Sequence, residues 1–137
     1  MNFETILFDS DILIEYFKGN QKVVAKFEAD ANRFEAINMS IISHFEVLKG
    51  FKILKAQKKL IIFKGFCQYR GKIFGIDAII TDKATDIYVQ LEKKGMRIDI
   101  PDCLIAATAL MNDLTVCTNN ERHFNRIDGL KIINWLK

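Results

Sequence analysis

Four residues into the chain stands the stretch Thr5-Ile6-Leu7-Phe8-Asp9-Ser10-Asp11. A short run of large apolar residues that ends in acids is typical of a buried strand in a parallel sheet. Residues 10–17 then show the apolar spacing of a helix, which is expected to end before Gly19-Asn20. This order of strand and helix predicts an α/β fold.

The same alternation continues along the chain. Further strands are predicted at residues 35–39, 115–117 and 131–134, and helices at 21–32, 82–94 and 101–111. Residues 74–80 are ambiguous. A helix that begins near Ser43 is expected to break near Gly50 or Lys55. The alternation predicts one domain over residues 1–137, with a parallel sheet and helices on both faces.

Polar side chains stand where predicted strands give way to helices. Asp9 and Asp11 follow the first strand, and Glu46 lies about one turn into the helix after the second. Asp102 begins a later helix, and Asn120 follows the strand at 115–117. Ligands of open α/β sheets bind at the carboxyl ends of the strands, so these residues are expected to converge.

Each of these acids also has a purely structural interpretation. Ser43-His44-Phe45-Glu46 fits a capping box, in which Glu46 only returns a hydrogen bond to the backbone. Asp102 would be stabilised in a first helical turn whatever its chemistry, and Asp9 could be an ordinary helix cap. Capping does not explain an acid pair directly after an apolar strand, so convergence is the stronger interpretation.

Composition limits the chemistry. Three cysteines without a C-x-x-C pair and only two histidines argue against a disulfide framework or a zinc site. Carboxylates would then supply the ligands of any metal, which favours a hard cation such as Mg²⁺ or Mn²⁺. No apolar run is long enough to cross a bilayer, and early acids interrupt any secretory signal, so a cytoplasmic location is expected.

Positive charge is concentrated in one stretch. Residues 47–76 contain eight basic side chains and no acid, although the net charge of the chain is only +3. Lys49, Lys52, Lys55 and Lys59 would share one arc of a continuous helix. This face is either simply solvated or a positive field that attracts a polyanion such as RNA.

Taken together, the motifs resemble those of PIN-domain ribonucleases, and within them the VapC-type toxins of toxin–antitoxin pairs. The resemblance covers residues 5–135. Its motifs are Asp9-Ser10-Asp11, Ser40-x-x-Ser43-x-x-Glu46, Asp102-Cys103-Leu104-Ile105-Ala106-Ala107 and Thr118-Asn119-Asn120-Glu121-Arg122-His123-Phe124.

The resemblance implies a three-layer α/β/α domain whose central, mostly parallel sheet has about five strands. It also implies an endoribonuclease that uses Mg²⁺ or Mn²⁺. By position, Asp9, Asp102 and Glu46 would hold the metal, with Glu46 also oriented to the attacking water. Ser10, Asp11, Ser43 and Thr118 would support them. Asn120 falls at the fourth, usually acidic, position, and His123 stands where many relatives carry an acid, so one or two metal ions remain possible.

The resemblance also implies partners. These are an RNA substrate, a VapB-type antitoxin and a second copy of the chain. The antitoxin or the second copy would use the basic middle region, whose apolar side chains include Phe51, Leu54, Phe63 and Phe66.

Other classes share parts of the pattern. A strand followed by Asp-x-Asp also opens haloacid-dehalogenase-type phosphatases, and a receiver-type phosphoacceptor domain is similar in size. A housekeeping RNA-processing nuclease and a catalytically silent PIN module are the alternatives within the family.

Overall fold

The structure, a computed structural model, describes residues 2–30 and 35–137. Over these residues the chain forms five strands and seven α-helices. The strands are β1 (Ile6–Phe8), β2 (Ile37–Ser40), β3 (Gly71–Phe74), β4 (Thr115–Cys117) and β5 (Ile132–Ile133). The helices are α1 (Ser10–Phe17), α2 (Gln21–Asp30), α3 (Ile41–Ile53), α4 (Gln57–Arg70), α5 (Ala78–Lys93), α6 (Ile100–Met111) and α7 (Glu121–Phe124).

All five strands pair in parallel, in the order β3-β2-β1-β4-β5. From β1 the chain moves outward to β2 and β3, and then returns to place β4 on the other side of β1. The strand order therefore reverses between β1 and β4, where an open α/β sheet forms its ligand crevice. The predicted five-stranded parallel sheet is confirmed.

Apolar side chains fill both faces of the sheet. Ile6 and Phe8 of β1 belong to a core shared with α1–α4, whereas Leu7 between them belongs to a second core under α5 and α6. This alternation follows from the strand geometry, because successive side chains point to opposite faces. Two cores on one sheet give the predicted three layers.

The ambiguous stretch resolves into a strand and the start of a helix. The edge strand β3 was missed because two of its four residues, Lys72 and Ile73, are exposed and give no apolar run. The next helix begins at Ala78, four residues earlier than predicted. Asp77 caps it, and its carboxylate accepts a hydrogen bond from the Ile80 N–H at 2.9 Å.

The basic middle region is a pair of helices. The predicted break occurs at Lys55, which has a left-handed φ of 53°, and not at Gly50, which lies inside α3. Lys49 and Lys52 therefore belong to α3, while Lys59 belongs to α4. The prediction of one continuous lysine arc is wrong, because the chain reverses between the second lysine and the fourth.

Two of the apolar residues expected at the surface of this region are core residues. Phe51 and Phe63 are fully buried, so their expected role in binding a partner is wrong. Phe66 is half-buried, and Leu54 is 68% exposed. The exposed apolar side chains of this helix pair lie on its outer side and include Ile53, Ile61 and Ile62.

The remaining boundaries differ by a few residues. The helix predicted at 21–32 is α2, and its predicted last residues, 31 and 32, lie outside the described residues. In residues 2–30 and 35–137, no helix is both long and apolar enough to cross a membrane.

Candidate active site

The crevice between the ends of β1 and β4 is lined by acids. Asp9 follows β1 directly and is 6% exposed, and Thr118 follows β4 directly and is fully buried. Because β1 and β4 are neighbours, the Thr118 hydroxyl donates to Asp9 Oδ2 at 2.8 Å, across 109 residues of sequence. The strand-order reversal thus brings together two segments that the sequence keeps far apart.

Asp9 is also held through its other oxygen. Asp9 Oδ1 accepts from the Ser10 N–H at 2.8 Å, and the Ser43 hydroxyl lies 3.5 Å away. Burial, together with the neighbouring charge of Asp11, raises the pKa of Asp9 to about 7. The hydroxyl of Thr118 opposes this shift. An acid in this setting is costly to ionise unless a cation lies near it.

Asp11 connects the start of α1 to the loop after β4. Its Oδ1 accepts from the Ile12 N–H at 2.8 Å, and its Oδ2 accepts from the Asn119 N–H at 2.9 Å. The Thr118 hydroxyl lies 3.4 Å from the same Oδ2. Burial raises the pKa of Asp11 too, but backbone donors partly compensate. The role of this carboxylate in the geometry is to fix the loop that carries Thr118.

Glu46 reaches the crevice from α3. Its Oε1 accepts from the Ser10 hydroxyl at 3.3 Å. The capping-box interpretation is wrong, because the residue that caps α3 is Ser40, whose hydroxyl accepts from the Ser43 N–H at 3.0 Å. Partial burial raises the pKa of Glu46, and the nearby charge of Lys49 lowers it.

Asp102 enters from the first turn of α6. Its Oδ2 lies 3.3 Å from Asn120 Nδ2 and 2.9 Å from His123 Nδ1. Sequence reasoning noted His123 only as a departure from the family pattern and gave it no role. The signal available was its spacing, since it lies one helical turn after Asn120 and must share that residue's side of the short helix α7.

All eight predicted crevice residues lie together. They are Asp9, Ser10, Asp11, Ser43, Glu46, Asp102, Thr118 and Asn120. The charge of Asp102 raises the pKa of Asp9, Asp11 and Glu46, so the acids of α1, α3 and α6 act on one another. The predicted convergence is therefore observed.

The predicted lysines are arranged differently. Lys49 lies close enough to Glu46 for its charge to act on that acid. Lys52 and Lys55 are exposed, and Lys59 is half-buried. Within residues 2–30 and 35–137, no hydrogen bond or ion pair joins these last three to the acids. A role in RNA binding stays a prediction for all four.

The donor set of the crevice suits a hard divalent cation. It is made of carboxylate oxygens, and burial holds the pKa of the nearby Cys117 thiol at about 12, which keeps that sulfur protonated. In the part of the chain that the structure describes, no three acidic, His or Cys side chains already surround a common point. Mg²⁺ often keeps several waters and is bound through one or two carboxylates, so Asp9 and Asp102 alone would suffice as direct ligands.

Comparison with known proteins agrees with the fold and the motifs. The model of the PIN domain matches residues 6–130. The chain belongs to the PIN-domain family. The ribonuclease VapC1 of Methanocaldococcus jannaschii is 36% identical to it over 129 residues, which cover 93% of this chain and 85% of that protein.

Several solved structures with the same fold are toxin–antitoxin complexes. The DNA-bound VapBC of Salmonella typhimurium has a TM-score of 0.82 and 27% identity, covering 98% of this chain and 99% of the other. VapBC2 of Rickettsia felis, bound to a DNA fragment from its promoter, has a TM-score of 0.79 and 28% identity, covering 95% and 98% of the two chains.

The phosphatase and receiver alternatives are set aside by the same findings. The flavodoxin-like order of receiver domains is 2-1-3-4-5, whereas this PIN domain has the order β3-β2-β1-β4-β5.

Proposed function

We propose that this chain is a metal-dependent endoribonuclease and the toxin of a VapBC-type toxin–antitoxin pair. The observation that carries the proposal is the crevice, in which acids from α1, α3 and α6 meet where the strand order of a PIN domain reverses. The similar ribonuclease VapC1 and the similar VapBC complexes support both parts of it.

The residues that would hold the cation are Asp9 and Asp102, with Glu46 completing the set. When bound, Mg²⁺ or Mn²⁺ supplies a Lewis acid that activates water and neutralises charge on the scissile phosphate. The raised pKa of Asp9 supports this assignment, because a buried carboxylate surrounded by others is stabilised in its ionised form by a nearby cation.

The protein's own side chains orient the reaction. Thr118 fixes Asp9 from the β4 side, and Asp11 fixes the loop on which Thr118 lies. Glu46, turned towards the crevice by Ser10, is placed to accept a proton from the attacking water. Its raised pKa brings it closer to neutral pH, where a general base is most effective.

The substrate would reach the crevice along α3. This helix places Glu46 at the crevice, and Lys49 and Lys52 follow within two turns. Basic side chains that lead into an acidic crevice can neutralise successive phosphates of an RNA strand. Lys55 and Lys59 extend this positive charge over the turn and into α4.

The exposed apolar side chains of α3 and α4 are the surface proposed for protein partners. Ile53, Leu54, Ile61 and Ile62 are each more than half exposed, which is unusual for adjacent large apolar residues. A segment of the antitoxin would cover this surface, and homodimer formation is part of the same proposal.

The proposal is tested by mapping RNA ends. Expression of the intact protein should create new RNA 5′ ends, and both Asp9→Asn and Asp102→Asn should lower their formation by about a thousandfold, since metal ligands contribute several kcal/mol. Asp82→Asn, at an exposed site on α5, is the matched control and should cleave normally. Cleavage by a folded Asp9→Asn protein at the normal rate would contradict the proposal.

A further inference from the structure

The carboxylate of Asp102 is held on one side only. Two side chains contact its Oδ2, His123 through Nδ1 at 2.9 Å and Asn120 through Nδ2 at 3.3 Å. In the described part of the chain, no hydrogen bond reaches the other oxygen, Oδ1. The side chain of Asp102 is 17% exposed.

His123 Nδ1 lies 2.9 Å from Asp102 Oδ2 and 3.0 Å from Asn120 Nδ2. The amide nitrogen of Asn120 can only donate and an ionised carboxylate can only accept, so the tautomer with its hydrogen on Nδ1 is the one in which His123 donates to Asp102. Asn120 Nδ2 also donates to the same oxygen. Two hydrogen bonds to Oδ2 restrict rotation of the carboxylate group. The lone pairs of Oδ1 therefore keep a fixed orientation.

The helix that carries His123 is itself anchored. Glu121, the first residue of α7, accepts from Lys137 Nζ at 2.8 Å and from Asn134 Nδ2 at 3.1 Å. Asn134 also donates to Asn119 Oδ1 at 3.0 Å. The fully buried Phe124 at the other end of α7 fixes the helix to the core as well.

We propose that His123 is a positioning residue, which orients Asp102 for the cation through Nδ1 and is not itself a ligand. This inference rests on the proposed function, because it takes Asp102 as a ligand. Loss of such an outer contact commonly weakens metal binding 10- to 100-fold.

Three substitutions separate the two ring nitrogens. His123→Asn places an amide near the position of Nδ1, His123→Gln reaches the position of Nε2, and His123→Ala removes both. We expect the Ala and Gln variants to bind Mn²⁺ about 10- to 100-fold more weakly by calorimetry, and the Asn variant to remain within about threefold of the natural protein.

The control is the other histidine. His44 packs on Phe63 with ring centroids 5.8 Å apart, and within the described residues no hydrogen bond joins it to an acid, so His44→Ala should leave Mn²⁺ affinity unchanged. Unfolding in EDTA checks that each variant folds. The kcat for RNA cleavage should fall in the Ala variant more than KM rises, because the contact orients an acid and does not bind RNA.

Three results would overturn the inference. If the Asn variant binds Mn²⁺ as weakly as the Ala variant, the contact through Nδ1 does not explain the effect of His123 and the positioning role is wrong. If all three variants bind normally, the contact with Asp102 has no role. If the natural protein binds no Mn²⁺ at all, the proposed function fails and the inference fails with it.

Discussion

The two sides of the crevice are built differently. On the β1 side, Asp9 is almost fully buried and Asp11 is half-buried, and both accept hydrogen bonds from backbone N–H groups and from Thr118. On the helix side, Glu46 and Asp102 are also half-buried, and within the described residues only side chains donate hydrogen bonds to them. We refer to these as the buried half and the open half.

The difference assigns a separate task to each half. Backbone and buried donors cannot move without the sheet, so the buried half keeps a fixed geometry at the cost of destabilised charges. In the open half the donors are side chains, so the positions of its acids depend on how the helices pack and not on the sheet. The fold thus combines one pair of acids fixed by the sheet with another fixed by side-chain contacts.

The largest difference between the two halves should appear in how the free energy of unfolding depends on pH. Because the pKa of Asp9 is near 7 in the folded protein and near 4 when unfolded, the folded state binds more protons between these values. The metal-free protein should therefore lose stability as the pH rises from about 4 to 7, and the loss should persist above pH 7. Asp11 and Glu46, whose pKa values are also raised, act in the same direction.

Urea unfolding in EDTA at pH 5 and pH 8 measures this effect. Asp9→Asn should remove most of the pH dependence, whereas Asp82→Asn, at an exposed position on α5, should retain it. The assignment would be wrong if the natural protein became more stable with rising pH. It would also be wrong if the stability of Asp9→Asn depended on pH as strongly as that of the natural protein, because ionisation of Asp9 would then not destabilise the fold.

The positions of most acids were predictable, because they depend on local order. An apolar strand followed by an acid places that acid at the carboxyl edge of a parallel sheet, and this was enough for Asp9. The position of Asp102 could be predicted from the start of the helix that carries it. The Thr118–Asp9 contact follows from the adjacency of β1 and β4, which no local pattern reveals.

The failures have physical reasons as well. Two of the four residues of the edge strand β3 are exposed, so this strand carries no periodic signal. The contact between His123 and Asp102 spans 21 residues and depends on how α7 packs. Such contacts are a property of packing and not of sequence spacing.

The halves should also differ in the stability that their hydroxyl groups provide. Thr118→Val removes a buried donor to a carboxylate and should cost about 2 kcal/mol of unfolding free energy, whereas Ser10→Ala removes a longer, part-exposed contact and should cost about 0.5 kcal/mol. Urea unfolding at pH 8 without metal measures both.

The chain offers a matched control for the buried threonine. Thr108 is equally buried, but its hydroxyl donates to the neutral carbonyl of Leu104 at 2.8 Å, so Thr108→Val should cost less than Thr118→Val. Equal costs for Thr118 and Ser10, or a greater cost for Thr108, would argue against a special buried half.

The smallest effect concerns the lysines beyond the open half. If Lys52, Lys55 and Lys59 each neutralise a phosphate, changing all three to Ala should reduce the slope of log K against log salt concentration by about 2 for single-stranded RNA. Binding is measured without metal, so that the RNA stays intact. Lys22, Lys93 and Lys131, exposed on other elements, form the control triple.

An unchanged slope in the first triple variant would make these lysines an ordinary solvated surface. A similar change in both triple variants would mean that RNA responds only to the overall charge of the protein. Either result would leave the acids as the proposed site but remove the path assigned to the substrate.

The central claim is that acids from both halves hold one divalent cation together, and titration with Mn²⁺ by calorimetry tests it most directly. The natural protein should bind, and its unfolding free energy should rise by about 2.7 kcal/mol when Mn²⁺ is at 100 times its dissociation constant. Asp9→Asn and Asp102→Asn should each lose both the binding heat and the stabilisation. Undiminished binding in either folded variant would contradict the claim.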